Sequence, residues 1–108
     1  METTTVIGAL SALAHESRLG IFRLLVEQGP VGLPAGTIGE RLRLAPATLS
    51  FHLKELTQAG LVSTERASRN LVYRAAYDRM NGLLKYLTDN CCQGAACAVD
   101  GASAACNF

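Results

Sequence analysis

The chain has 108 residues, 49% of them hydrophobic, and a net charge of +1. That is enough material for one domain with a modest core, of the size that often gains stability from a partner subunit. No apolar run approaches the roughly 18 residues of a membrane span. The opening METTTVIGALSALAHES carries an acid at Glu2 and no basic n-region, so no secretory signal is expected and a cytoplasmic setting is.

Taken in chain order, the first expected element is a helix in which Val6, Ile7, Leu10, Leu13 and Ala14 recur at helical spacing. A second helix follows, with Ser17 as its expected N-cap and Leu19, Phe22, Leu25 and Val26 as its apolar stripe. Gly29 and Pro30 end it. VGLPAG reads as a loop into a short helix that turns Ile38 and Leu42 inward.

The next stretch, TIGERLRLAPATLSFHLKELTQAGLV, holds two apolar-periodic segments separated by a tight connection at Leu44–Ala45. Pro46 stands where the second segment begins, a position at which its missing N–H costs nothing. Leu49, Leu53 and Leu56 then form a core-facing stripe, while Thr48, Ser50, His52 and Lys54 fall on other faces and Gly60 closes the helix. Short helix, tight turn and longer helix describe a helix-turn-helix, whose second helix can enter a DNA major groove. The charge distribution agrees. Between Arg41 and Arg74 six basic residues (Arg41, Arg43, Lys54, Arg66, Arg69 and Arg74) face two acids, Glu55 and Glu65, a local surplus of four positive charges suited to phosphate.

Val62 and Thr64, then Leu71, Val72 and Tyr73, predict a two-stranded hairpin with a basic tip near Ala67–Asn70. Such a hairpin is weak alone and should lean on the helices. Asp78 is the expected cap of a last helix with Met80, Leu83, Leu84 and Leu87 on one side. Beyond Cys92 too few large apolar residues remain for independent folding. The expected organisation is a domain over residues 1–90 and a tail over 91–108. That tail holds all four cysteines: Cys91, Cys92, Cys97 and Cys106.

LSALAHESRLGIFRLL, the helix-turn-helix stretch and the hairpin RNLVYRAAY together resemble the ArsR/SmtB family of metal-responsive repressors, with ATLSFHLKELTQAGLV the most specific piece. The resemblance covers roughly residues 6–90. It implies a mainly α winged helix-turn-helix fold with a β-hairpin wing. It also implies a homodimer formed through the first and last helices, and operator DNA bound as an inverted repeat and released when a metal or metalloid binds. On this footing the DNA-contacting residues are Thr48, Ser50, His52, Lys54, Arg66 and Arg69. Three departures stand out. LPAGTIGERL lacks the Cys-x-Cys-type site that many arsenic-responsive members carry before the turn. Ala45 occupies the usual serine N-cap, and Phe51 replaces a residue that is often basic.

The first departure moves sensing to the tail. Thiolates are soft ligands, and trivalent arsenic favours three of them in a pyramid. Cys91, Cys92 and Cys97 are the expected ligands, with Cys106 as a substitute third, and Cys-Cys-x4-Cys lacks the paired C-x2-C spacing of structural zinc. The expected inducer is As(III), with Sb(III) a further one, and no organic cofactor is implied. The alternatives are methylated trivalent arsenicals held by the Cys91–Cys92 pair, another soft metal, or thiol oxidation as the signal. An enzyme is not expected: there is no C-x-x-C, no phosphate-binding loop and no nucleophile with an evident base.

Overall fold

The computed structural model describes residues 1–94. Cys97 and Cys106 lie outside them, so the expected third ligand is not among the described residues. No helix of the described residues is long and apolar enough to cross a membrane.

Helix α1 spans Thr3–Leu13 and buries Val6, Ala9 and Ala12, small side chains that let neighbouring backbone approach closely. Helix α2 spans Glu16–Gln28. Its cap is not Ser17, which lies inside the first turn. The His15 ring is the cap, its Nδ1 accepting the Ser17 N–H at 3.1 Å. An imidazole nitrogen satisfies an orphan amide as a serine oxygen would, but it is not among the usual cap residues. Glu16 in the first turn favours the positive end of the helix dipole.

The VGLPAG loop hides a strand. β1, Leu33–Pro34, pairs antiparallel with β3, Asn70–Ala75, placing Leu33 opposite Tyr73 and Pro34 opposite Val72. β3 also pairs along its whole length with β2, Val62–Ala67, so the sheet has three strands in the order β1-β3-β2. Two residues are too few to show a period, and one of them is a proline, tolerated because β1 is an edge strand. The approach to β1 is close: a Cβ on Gly32, whose φ is +73°, would stand 2.6 Å from the Tyr73 carbonyl oxygen. At the far end of the hairpin Ala67 faces Asn70 across Ser68 and Arg69.

Helix α3, Ala35–Leu42, stops at Arg43, whose backbone is left-handed. Helix α4, Pro46–Gln58, begins with Ala45 as a cap whose side chain accepts no hydrogen bond and Pro46 in the first turn. At its other end the Leu61 N–H bonds the Leu56 carbonyl and the Gly60 N–H bonds the Thr57 carbonyl. This is a Schellman motif, closed by Leu61 and Leu56, both fully buried. Helix α5, Tyr77–Thr88, is capped at Ala76, and Asp78 lies in its first turn rather than at the cap. There its charge meets the helix dipole without bonding an orphan amide. The core gathers Ile21 and Leu25 of α2, Ile38 of α3, Leu56 of α4 and Leu61.

Replacing Gly32 with Ala should destabilise the protein by about 1–3 kcal/mol, because φ and the Tyr73 carbonyl both oppose a side chain. Gly36, inside α3 with nothing within 4 Å of a Cβ, should gain up to about 1 kcal/mol from the same change. Urea unfolding of the two variants measures both.

Candidate nucleic-acid interface

The orientation of α4 follows from what it buries. Leu49, His52, Leu53 and Leu56 face inward. Ala47, Phe51, Lys54 and Gln58, at i, i+4, i+7 and i+11, are all exposed and form the outermost row of the helix. Thr48 and Ser50, also exposed, flank this row on either side. An open groove between α4 and the wing is lined by Ser50, Lys54, Thr57, Thr64 and Tyr73 among others. Arg66 and Arg69 stand exposed near the hairpin tip.

Two basic or titratable residues take positions the sequence does not disclose. Arg74 is not part of the open basic surface. Its Nη1 pairs with Glu65 Oε1 at 2.7 Å across the hairpin, and its Nε donates to the Pro30 carbonyl oxygen at 2.7 Å. The side chain therefore ties the wing to the segment after α2. His52, expected to face DNA, is only 5% exposed. Helical phase puts it on the edge of the Leu49–Leu53–Leu56 stripe, where it points into the protein.

There it meets α2. Arg18 donates from Nη1 to His52 Nδ1 at 3.3 Å and from Nε to the Ala12 carbonyl oxygen at 2.7 Å. The His15 ring lies 4.6 Å from the His52 ring, centroid to centroid. One guanidinium thus joins the end of α1, the start of α2 and the middle of α4. Because arginine has no acceptor, the contact fixes His52 Nδ1 as the acceptor, the neutral form of the ring. Burial pushes the His52 pKa below the ordinary histidine value, His15 and Arg18 push it the same way, and Glu55 opposes them. Arg18 was missed in the sequence because a basic residue in the first turn of a helix carries no periodic or motif signal. The outward row containing Phe51 was legible as the face opposite the leucines.

The described thiols lie just past α5. That helix ends at Thr88, and a turn over Cys91–Gly94 holds Cys91 half-buried and Cys92 exposed. Asn90, Cys92 and Gln93 have positive φ, so the pair belongs to a turn and not to the helix end. Among the described residues no three His, Cys, Asp or Glu side chains gather as a set able to hold a metal. Cys91 and Cys92 fit a soft thiophilic ion by donor type, as two of its ligands.

A family model for a helix-turn-helix domain matches residues 13–65. An uncharacterized HTH-type transcriptional regulator of Bacillus subtilis, YceK, is 43% identical over 58 residues, which cover 54% of this chain and 57% of that protein. The chain thus matches little more than half of that relative's length. The biofilm growth-associated repressor of Agrobacterium fabrum is 33% identical over 84 residues, 78% of this chain and 69% of the repressor. A homodimeric winged helix-turn-helix DNA-binding domain from Mycobacterium bovis, described as a possible ArsR-family regulator, superposes with a TM-score of 0.65 at 28% identity, covering 85% of both chains. The chain belongs to the ArsR family of winged helix-turn-helix transcriptional regulators. That family consists of regulators and not enzymes, and within it α4 takes the place of the second helix of the helix-turn-helix, with β2 and β3 as the wing.

The His52 environment sets a pH dependence for this ArsR-family chain. The unfolded chain takes up the His52 proton near the ordinary value of about 6.5, while the folded chain resists it. Stability therefore holds above that pH and falls as the pH drops through it toward the lowered folded value. His52→Gln should lose this part of the acid sensitivity. In urea unfolding at pH 7.5, 6.5 and 5.5, the advantage of wild type over the variant should shrink toward the acid end.

Proposed function

We propose that this chain is a DNA-binding transcriptional repressor that acts as a homodimer and leaves its operator when a trivalent metalloid, As(III) first and Sb(III) as a further one, is held by its C-terminal thiolates. One observation carries the DNA-binding part: the exposed face of α4 lies beside a wing that presents Arg66 and Arg69, so one surface offers a groove-sized helix and phosphate-seeking cations together. Lys54 on the outer row, with Thr48 and Ser50 beside it, supplies further donors to phosphate or base edges. His52 contributes by holding α4 against Arg18 and not by touching DNA.

Exposed apolar side chains on α1 and α5 support dimerisation. Ile7 and Leu10 on α1 and Leu87 on α5 are uncovered, and α1 and α5 are joined by a 2.8 Å hydrogen bond between the Thr3 and Tyr86 hydroxyls. A two-fold dimer pairing these helices would present two α4 helices to successive major grooves about 34–36 Å apart, which calls for an inverted-repeat operator.

The donor set supports the inducer. Cys91 and Cys92 supply two soft sulfurs just beyond α5, with Cys97, or Cys106 in its place, as the third. Bound trivalent arsenic would supply the preference for three thiolates in a pyramid. Closing that set draws the segment after Thr88 inward and pulls on α5, and through α5 on the dimer contact. A coupling of about 1–3 kcal/mol, typical between linked sites, weakens operator binding several-fold to about a hundredfold.

Two measurements test this reading. Arg66→Ala with Arg69→Ala should weaken binding to all duplexes alike and flatten the slope of log affinity against log salt by about one per lost phosphate contact. Cys91→Ser with Cys92→Ser should leave DNA binding intact and abolish release by arsenite. Release that persists in the double serine variant would overturn the thiolate mechanism. Release by peroxide and not by arsenite would replace it with thiol oxidation, and retained response to methylarsenite after Cys97→Ser would restrict the site to the adjacent pair.

A further inference from the structure

The outermost row of α4 contains a residue that hydrogen bonding to DNA does not explain. Phe51 is 56% exposed, and on its row it follows Ala47 by one turn and precedes Lys54 by one turn. Its ring rests beside the buried His52, with centroids 5.7 Å apart and planes tilted by 59°. Since Arg18 and the core hold His52, Phe51 has a fixed neighbour on its inner side and solvent on its outer side. A single exposed aromatic is ordinary on a protein surface. What sets this one apart is its place, midway along the most protruding face of the candidate recognition helix, with Ser50 and Lys54 adjacent and Arg66 and Arg69 on the wing.

An apolar ring in a major groove has few partners. Base edges there present nitrogen and oxygen donors and acceptors, except for the C5-methyl of thymine, which is the apolar feature an aromatic or alanine side chain can cover. Ala47, exposed one turn toward the N-terminus of α4, extends the apolar surface in the direction in which a recognition helix commonly approaches bases. We propose that Phe51, with Ala47 beside it, is a specificity-determining residue that packs on the 5-methyl group of a thymine at a fixed position in each half-site. This rests on the DNA-binding reading above and narrows it, because a site read in this way tolerates loss of base hydrogen bonds at that position but not loss of the methyl.

The test uses the full chain and a pool of random-sequence duplexes, from which bound DNA is selected and the enriched duplex identified. Each thymine of that duplex is then replaced by deoxyuridine, which keeps every hydrogen-bonding group and removes only the methyl. Wild type should bind about three- to tenfold more weakly at one thymine per half-site, the size expected for one uncovered methyl. Phe51→Ala, a change at an exposed position, should keep its unfolding midpoint, bind the thymine duplex more weakly, and be indifferent to deoxyuridine there. Phe51→Leu should retain part of the sensitivity. Wild type indifferent to every replacement, or Phe51→Ala as sensitive as wild type, would overturn the proposal while leaving DNA binding in place. Failure of any duplex to enrich would overturn the DNA-binding reading and this proposal with it.

Discussion

The rotation of α4 about its own axis is the constraint on which the rest of the structure depends. Leu49, Leu53 and Leu56 must leave water, and burying three such side chains is worth several kcal/mol in all. With that stripe inward, the phase of every other residue on the helix is set. His52 falls on the stripe's edge and is buried with it, while Ala47, Phe51, Lys54 and Gln58 are carried to the outside. Both ends of the helix hold that phase. Pro46 starts it without an unsatisfied donor, and the Schellman closure at Gly60 hands the chain directly to Leu61 and β2. The wing therefore stands at a defined angle to the helix whose face it flanks.

A buried polar ring on that helix must be satisfied, and the means of doing so links three elements. Arg18 reaches both His52 and the Ala12 carbonyl oxygen, so the guanidinium ends α1 and seats α4 at once. The arrangement holds one charge next to the His52 ring, and it works because that ring accepts from Arg18 in its neutral form. Arg74 does the corresponding work for the wing. It neutralises Glu65 and bonds the Pro30 carbonyl oxygen, which fastens the hairpin to the end of α2 from the side opposite the groove. The Arg74–Glu65 pair takes out one base and one acid together, so the net surplus read from the sequence is unchanged, and the exposed bases of the segment are Arg41, Arg43, Lys54, Arg66 and Arg69.

The helices were legible because their signal is periodic and local. The Leu49–Leu53–Leu56 stripe, the Gly29 and Gly60 stops and the hairpin pairing around Ala67–Asn70 all stand in the structure where the sequence put them. The misreadings share a physical cause, which is dependence on partners distant in the chain. β1 exists only because β3 pairs with it, some forty residues on. His15 caps α2 although Ser17 has the better propensity, because the ring is also placed against His52. His52 carries a family-like motif position, but its burial is decided by Arg18 on another helix. Of the candidate site, the residues whose exposure follows from helical phase alone could be read in advance: Thr48, Ser50 and Lys54. Those fixed by tertiary contact could not.

The position of the thiols relative to α5 bears on how a signal at one end of the chain reaches the other. α5 is anchored at its start by the Tyr77 hydroxyl, which donates to the Val26 carbonyl oxygen at 3.1 Å, and near its end by the Tyr86–Thr3 bond to α1. Leu83 is its one buried residue, while Leu87 is exposed. A helix that buries only Leu83, with Tyr77 and Met80 partly buried beside it, is held less tightly than α4, which buries four side chains. Any force applied past Thr88 is therefore taken up first by the Tyr86–Thr3 contact and the uncovered apolar faces of α1 and α5. The recognition helix keeps its own phase, locked by the leucine stripe and Arg18. Under the proposed function the inducer then acts on the separation and tilt of two intact reading heads, with no remodelling of either.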